Sequence, residues 1–227
     1  MKYEIFGSSV PVVEMTMEPG ESVYTQSGGM VWQSDGFRME TNARGGVLKG
    51  LGRMFSGESF FMVTYTAQRP ESQIAFASTV PGSLIPVDVE QHRGMVIQKG
   101  AFLCAETTVE TSVVFTKKVS AGFFGGEGII LQSLSGRGKA FLEVDGDTVV
   151  KMLAPGEVFK VDTGNVVAFD RTVSYEVETV KGLGNIFFGG EGLFLTKLTG
   201  PGQIILQTLN FAEFAGRIAS VIPKSNN

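Results

Sequence analysis

Short segments in which apolar and polar residues alternate recur along the chain. Val173, Tyr175 and Val177 are separated by single polar residues, and the segment 158–162 has a similar alternation. A period of two is expected of a β-strand that buries one face. Turn residues separate such segments at intervals of about 8–12 residues, which is typical of β-sandwiches and barrels. The pattern therefore predicts an all-β fold.

An internal repeat organises the second half of the chain. Residues 100–144 align without a gap with residues 164–208, which is an offset of 64, and 16 of the 45 aligned positions are identical. Both copies contain the run Phe-Phe-Gly-Gly-Glu-Gly, at 123–128 and 187–192. Repetition on this scale indicates that one supersecondary unit is used more than once.

A more diverged copy precedes these two. Asp35, Glu106 and Asp170 are spaced by 71 and 64 residues. Two further sets mark the copies: Gly29, Gly100 and Gly164, which have the same spacing, and the turns Pro19-Gly20, Pro81-Gly82 and Pro155-Gly156. We predict three β-sandwich-like repeats, at 1–80, 81–150 and 151–209, in a pseudo-threefold arrangement within one compact unit.

Local sequence signals predict two tight turns and one helix. The pairs Asp35-Gly36 and Asp145-Gly146 predict β-hairpins with type I′ turns, which need positive φ at both central residues. Residues 210–222 are predicted to form a C-terminal helix docked on the β body, with Asn210 as the N-cap and Glu213 in the capping-box position. Its apolar face consists of Phe211, Phe214, Ile218 and Val221.

Composition and charge limit the function. The chain has 227 residues, 30 of them glycine, and a net charge of −4. An acidic chain is a poor ligand for nucleic acid, and its short basic groups, Lys117-Lys118 and Arg137 with Lys139, are interpreted as solvated edge residues. A single cysteine, no targeting signal and no apolar stretch long enough to span a membrane predict a cytoplasmic protein with no integral membrane segment.

The residues that commonly carry catalysis are scarce. His92 is the only histidine and is expected in an exposed turn, while Cys104 lies in an apolar run and is expected to be buried. Asp145 and Asp147 flank a glycine at a predicted hairpin tip, where solvent would keep their pKa values from separating as acid–base catalysis requires. We therefore assign no catalytic residue and expect no enzyme activity and no cofactor.

The glycine–glutamate turns are the most conspicuous motif. We interpret their glycines as structural: Gly57, Gly125, Gly126, Gly128, Gly189, Gly190 and Gly192. The alternative is functional, because Glu58, Glu127 and Glu191 would meet near a pseudo-threefold axis, where three carboxylates could hold a cation. We favour the structural interpretation and assign no metal site.

Two loops before these turns are unusually apolar. They contain Leu48, Leu51, Met54, Phe55, Leu183 and Ile186. Their side chains could fold back into the core, bury against another copy of the chain, or touch lipid; the small number of basic residues makes lipid the weakest of these. We predict an interface here and a homo-oligomer, with a trimer among the candidate states.

Several separate blocks resemble one family. Among them are residues 3–7, 18–23, 28–32 and 56–61, together with the two Phe-Phe-Gly-Gly-Glu-Gly runs. Over about residues 3–212 the chain resembles bacterial and archaeal members of the altered-inheritance-of-mitochondria family. The resemblance implies a repeated β fold similar to that of the tryptophan RNA-binding attenuation protein. It implies no catalytic residue, and fold similarity alone does not transfer RNA or tryptophan binding.

Together these observations predict a non-catalytic all-β scaffold or binding protein. The alternative is a small-molecule or metal-ion binding module with a site between repeats, whose ligand the sequence does not identify.

Overall fold

The computed structural model describes residues 1–26, 28–42, 62–117, 129–180 and 193–222. In this part of the chain, β-strands dominate and one α-helix, α1 (Phe211–Val221), follows them, so the predicted all-β class with a C-terminal helix is confirmed. The strands are β1 (Lys2–Phe6), β2 (Val12–Met17), β3 (Ser22–Gln26), β4 (Met30–Gln33), β5 (Phe37–Asn42), β6 (Met62–Ala67), β7 (Ser72–Ala77), β8 (Gly82–Asp88), β9 (Met95–Gln98), β10 (Phe102–Glu106), β11 (Val109–Lys117), β12 (Ile129–Gly136), β13 (Lys139–Asp145), β14 (Thr148–Leu153), β15 (Val158–Asp162), β16 (Val166–Asp170), β17 (Ser174–Val180), β18 (Leu193–Thr199) and β19 (Gly202–Gln207).

The strands form two compact units, each of which is discontinuous in sequence. The first comprises Met1–Glu90, Phe102–Glu110 and Gly136–Glu143, and the second comprises the remaining segments. The first unit is built on a four-stranded sheet, β1-β2-β7-β4, and a six-stranded sheet, β5-β6-β3-β10-β13-β8. The second is built on a six-stranded sheet, β11-β12-β9-β16-β19-β14, a three-stranded sheet, β15-β18-β17, and the helix.

Each unit has its own apolar core. In the first unit, Met15, Phe76 and Phe141 are fully buried in one cluster. In the second, Ile129 and Phe169 belong to a separate cluster. Strand β2 shows how the sequence builds such a core. From Val13 to Met17 its buried residues alternate with partly buried ones, as expected for a strand with one face against the core.

The two six-stranded sheets have the same strand order with an offset of six strands. Adding six to each strand number of the first sheet gives the order of the second sheet. The smaller sheets each match one half of this order: β2-β7-β4 matches β8-β13-β10, and β15-β18-β17 matches β3-β6-β5. The described strands within residues 100–144 and 164–208 therefore have one and the same order. The arrangement of three repeats about an axis stays a prediction.

A shared irregularity defines which residues are equivalent. The pairs β4·β7, β10·β13 and β16·β19 each contain a register shift after the first paired residue: Met30, Phe102 and Val166. The first copy is thus offset by 72 residues from the second, not by the 71 that the sequence suggested. Ser34, rather than Asp35, is equivalent to Glu106 and Asp170.

The two predicted hairpins are wrong. Asp35-Gly36 links β4 to β5, and Asp145-Gly146 links β13 to β14, but in both cases the two strands belong to different sheets. Only the glycines have positive φ, +110° for Gly36 and +71° for Gly146, so the turns are not type I′. The alternation that marked the flanking strands reports a buried face, and it does not report which strand is the partner.

The predicted Pro-Gly turns are equivalent only in the first and third copies. The main-chain N–H of Glu18 bonds to the Glu21 carboxylate, and the N–H of Ala154 bonds to the Glu157 carboxylate in the same way. In the second copy, the offsets of 72 and 64 make Gln91-His92 equivalent to the two Pro-Gly pairs, whereas Pro81-Gly82 leads directly into β8.

Helix α1 is present but its apolar face is not covered. The Asn210 side chain accepts hydrogen bonds from the main-chain N–H groups of Ala212 and Glu213, as predicted for the N-cap. No residue of the helix is buried, and Phe211, Phe214, Ile218 and Val221 are 43–78% exposed. The prediction that this helix docks on the β body is therefore wrong: an amphipathic pattern identifies the face that can be buried, but not a surface that buries it.

Candidate functional site

Most residues that the sequence singled out lie outside the described part of the chain. This holds for the three glutamates and for every turn glycine and apolar loop residue of the predicted sites: Glu58, Glu127, Glu191, Gly57, Gly125, Gly126, Gly128, Gly189, Gly190, Gly192, Leu48, Leu51, Met54, Phe55, Leu183 and Ile186. The cation site and the loop interface stay predictions.

A polar contact recurs at the end of three equivalent strands. At this position a side-chain oxygen accepts a hydrogen bond from the main-chain N–H at the start of the neighbouring strand. The pairs are Ser34 with Gln73 at 2.9 Å, Glu106 with Lys139 at 2.7 Å and Asp170 with Gln203 at 2.7 Å. These side chains hold adjacent strands in register. Glu106 and Asp170, which the repeat places in equivalent positions, therefore have a structural role.

His92 is less exposed than predicted. Its side chain is only 27% exposed, and Nδ1 lies 3.3 Å from Oδ1 of Asp170, whose other oxygen accepts the Gln203 N–H. The turn is tight, because Arg93 has a φ of +53° and a side chain at Gly94 would meet Arg171 and the carbonyl oxygen of Leu134. The histidine is thus packed against the strand-end contact of the third copy.

The Asp145 environment also differs from the solvated tip that the sequence suggested. Its carboxylate accepts a hydrogen bond from the main-chain N–H of Phe211 at 3.2 Å, and its own N–H bonds to the side chain of Gln207. Burial raises the pKa of Asp145 above its ordinary value, although the Phe211 hydrogen bond opposes the shift. Asp147 is exposed. Through these two hydrogen bonds, Asp145 joins the turn to the segment that leads into α1.

Of the remaining candidates, Cys104 is buried as predicted, whereas Lys139 lies in β13, between β10 and β8, and is therefore not on a sheet edge. Cys104 is completely buried, and burial raises the pKa of its thiol well above the ordinary value. Arg137 lies 3.3 Å from Glu90, and Lys139 lies 3.6 Å from Asp88, so both basic side chains are paired with acidic ones. For Lys117-Lys118, Lys118 lies outside the described residues.

One apolar surface feature is strand β4, the last strand of the four-stranded sheet. Val31 is 47% exposed and Trp32 is 44% exposed, although their equivalents in β10 and β16 are almost completely buried. Those equivalents are Leu103 and Val167 for Val31, and Cys104 and Ala168 for Trp32. The Trp32 ring lies over its own sheet, where its Nε1 donates to Glu14 and its centroid is 6.4 Å from that of Phe6.

Strand β15, an outer strand of the three-stranded sheet, has a similar character. Val158 and Lys160 are exposed, whereas the equivalents of Lys160, Tyr24 and Val96, are buried. The Lys160 ammonium lies 2.8 Å from the Glu178 carboxylate, and this hydrogen bond lowers the pKa of Glu178. Two strands whose counterparts are interior are thus on the surface.

The described ranges contain neither a cluster of metal-ligating side chains nor a membrane-spanning helix. There, no group of three or more His, Cys, Asp or Glu side chains is arranged to hold a metal ion. No helix of this part of the chain has the length and apolar character needed to cross a membrane.

Comparison with known proteins decides the family. The family model described as "Mitochondrial biogenesis AIM24" matches residues 3–209, which is most of the chain. The chain belongs to the AIM24 family. An uncharacterized protein of Streptococcus pyogenes serotype M6 is 30% identical over 96% of this AIM24 chain and 89% of its own length. An X-ray crystal structure of a Streptococcus pyogenes protein is similar with a TM-score of 0.78 and 26% identity, covering 97% of this chain and 99% of that one.

The family assignment confirms the resemblance that the sequence blocks indicated, and the two matched relatives are bacterial. None of these matched descriptions names a ligand, a substrate or a reaction. The function of this AIM24 protein must therefore be argued from its own residues.

Proposed function

We propose that this AIM24 protein is a non-catalytic β scaffold that works by associating with further copies of itself in the cytoplasm. The observation that carries the proposal is the exposure of apolar residues in β4 whose equivalents in β10 and β16 belong to the interior. A surface built from core-type residues favours a protein partner over water, because burial of apolar area stabilises association.

Further observations support this proposal. Glu106 and Asp170, which lie at equivalent strand ends, each accept a main-chain hydrogen bond that fixes strand register. This use of the two carboxylates supports a structural role rather than a catalytic one. The cytoplasmic location is supported by the buried, unpaired thiol of Cys104, since reducing compartments keep cysteines in this form. The apolar face of α1 adds a second exposed surface of the kind that associating proteins bury.

The test is the mass of the full-length chain in solution. Size-exclusion chromatography with light scattering, at about 10–100 μM protein and about 0.15 M salt, should give an integer multiple of 24.3 kDa greater than one. The mass of a single chain across this range would overturn self-association. Turnover of a substrate by the wild type that disappears in Asp170→Asn, with the fold retained, would overturn the non-catalytic part.

A further inference from the structure

We propose that Asp35-Gly36, which links β4 to β5, is a site of spontaneous covalent modification: Asp35 converts to isoaspartate, and the product is a substrate for an isoaspartyl O-methyltransferase. The residues that contact this pair, Gln68 and Arg69, belong to the same compact unit as the pair itself. The proposal concerns the chemistry of the main chain and is independent of self-association.

The reaction needs water and no oxidant or reductant. In the first step the Gly36 main-chain nitrogen attacks Cγ of Asp35. The N–Cγ bond forms, one carboxyl C–O bond breaks, and the oxygen leaves as water with the proton of the nitrogen and a proton of the carboxyl group. Glycine favours this attack because it has no Cβ beside the nitrogen.

In the second step one water hydrolyses the five-membered succinimide. Cleavage of the N–Cγ bond restores aspartate. Cleavage of the bond from the same nitrogen to the main-chain carbonyl carbon of Asp35 gives isoaspartate, in which the main chain passes through Cβ and Cγ. The carboxylate that this cleavage releases is the group that the methyltransferase esterifies.

Few contacts restrain Asp35-Gly36. Nη1 of Arg69 lies 2.6 Å from Oδ2 of Asp35, and the carbonyl oxygen of Gly36 accepts the main-chain N–H of Gln68 at 2.8 Å. Gly36 has a φ of +110°. An ion pair between exposed side chains stabilises little and is screened by salt, so the Asp35 carboxyl group is held only weakly.

The second Asp-Gly pair, Asp145-Gly146, is an internal comparison with more restraints. The N–H of Asp145 bonds to the Gln207 side chain at 3.0 Å, its carbonyl oxygen accepts the Leu209 N–H at 3.1 Å, and its carboxylate accepts the Phe211 N–H at 3.2 Å. Gly146 is packed closely, since a Cβ atom there would lie 3.1 Å from that of Leu209. The same reaction at this pair has to break these hydrogen bonds and should be slower.

Arg69 is a positioning residue that slows the reaction at Asp35. Its side chain crosses the adjacent glycine, because a Cβ atom added to Gly36 would lie 3.0 Å from Cδ of Arg69. The succinimide is neutral, so its formation removes the charge that Arg69 binds. The ion pair therefore stabilises the unmodified chain relative to the succinimide.

The fold accommodates the product. Isoaspartate adds one atom to the main chain between β4 and β5, and these strands belong to different sheets. The strand-end contact beside the pair is made by Ser34 with the Gln73 N–H, not by Asp35. The modified chain should therefore keep both sheets.

Ageing of the purified full-length chain at neutral pH tests the proposal. An isoaspartyl O-methyltransferase with labelled S-adenosylmethionine reports isoaspartate, and peptide mapping locates the labelled residue. We expect label at residue 35 and none at residue 145. The same chain aged in guanidinium chloride should be labelled at both residues, because unfolding removes the hydrogen bonds of Asp145.

Two variants separate the chemistry from the restraint. Asp35→Glu keeps a carboxylate for Arg69, but its attack would have to close a six-membered ring, which forms more slowly, so the label at residue 35 should be lost. Arg69→Gln should be labelled up to about fivefold faster than the wild type, the factor that a surface ion pair can contribute. Circular dichroism checks that both variants keep the β fold.

The results discriminate as follows. Label at residue 35 of the folded wild type that is lost in Asp35→Glu supports the proposal. A folded wild type without label at residue 35, or with at least as much label at residue 145, overturns it. An Arg69→Gln variant that is labelled no faster than the wild type overturns the role assigned to Arg69.

Discussion

At the residue scale, the equivalent strand-end contacts make three side chains directly comparable. Ser34, Glu106 and Asp170 accept the same kind of main-chain N–H, but the first is a neutral hydroxyl and the other two are carboxylates. Hydrogen bonds to charged acceptors are stronger than bonds between neutral groups. The contribution to stability should therefore differ between the first copy and the other two.

We expect Glu106→Ala to lower the free energy of unfolding by about 1–3 kcal/mol, because the Lys139 N–H loses its acceptor. Glu106→Gln keeps an oxygen acceptor and should lose less, and Ser34→Ala should lose about 0.5–1.5 kcal/mol. Urea unfolding of the three variants measures these values. Equal losses for Glu106→Ala and Glu106→Gln would contradict the role of Glu106 as an acceptor.

A second prediction concerns pH and the Asp162 carboxyl. Burial raises the pKa of Asp162 above its ordinary 3.8, although a hydrogen bond from the Gly164 N–H opposes the shift. The folded state then binds the proton more tightly than the unfolded state. The contribution of Asp162 to the free energy of unfolding is thus most favourable at low pH, falls as pH rises from the unfolded pKa through the folded one, and is constant above it.

Asp162→Asn removes this titration and keeps an oxygen that can accept the Gly164 N–H. Relative to the wild type, the variant should gain stability as pH rises from about 3 towards 6, with no further change above that window. Urea unfolding at a series of pH values provides the measurement. A stability difference that does not change with pH, or that shifts in favour of the wild type, would disagree with the raised pKa.

At the element scale, α1 contributes no buried residue to a core. Gly216 lies within it, and a methyl group added there meets no atom within 4 Å. Gly216→Ala should stabilise the helix by about 0.5–1 kcal/mol, because glycine has the larger conformational freedom to lose. Circular dichroism at low urea should therefore show more helix, while the urea midpoint of the β-strands stays unchanged, since no helix residue is buried. A rise in that midpoint would show that the helix does pack on a strand unit.

The sequence predicted elements better than it predicted their partners. The offset of 64 placed the strands of residues 102–145 and 166–207 in correspondence, since one pattern of alternation recurs in both. It failed at Asp35-Gly36 and Asp145-Gly146, because alternation marks a buried face and is blind to the sheet that the next strand joins. In the diverged first copy, the match of Gly29 to Gly100 gave an offset of 71, whereas strand register gives 72.

At the scale of the whole molecule, the exposed edges could not have been predicted from the sequence. Val31-Trp32 and Leu103-Cys104 are both apolar pairs at equivalent positions, but the first residue is 47% exposed in β4 and 2% exposed in β10. Among the described strands, β10 has a second neighbour, β3, and β4 has β7 alone. The candidate surface is thus not marked by any distinctive residue. The contact at His92 was missed for a related reason, because Asp170 is 78 residues away in the chain.

The interleaving of copies within one sheet also determines when the chain can fold during its synthesis. Strand β3 ends at Gln26, but its neighbour β10 ends at Glu106, so 80 residues must be added before the pair is complete. At about 5–20 residues per second, this interval lasts about 4–16 s on the ribosome. The core of the first unit waits even longer, because Phe141 belongs to it. A nascent chain that ends near residue 80 therefore carries only one half of the first six-stranded sheet, the strands β5, β6 and β3.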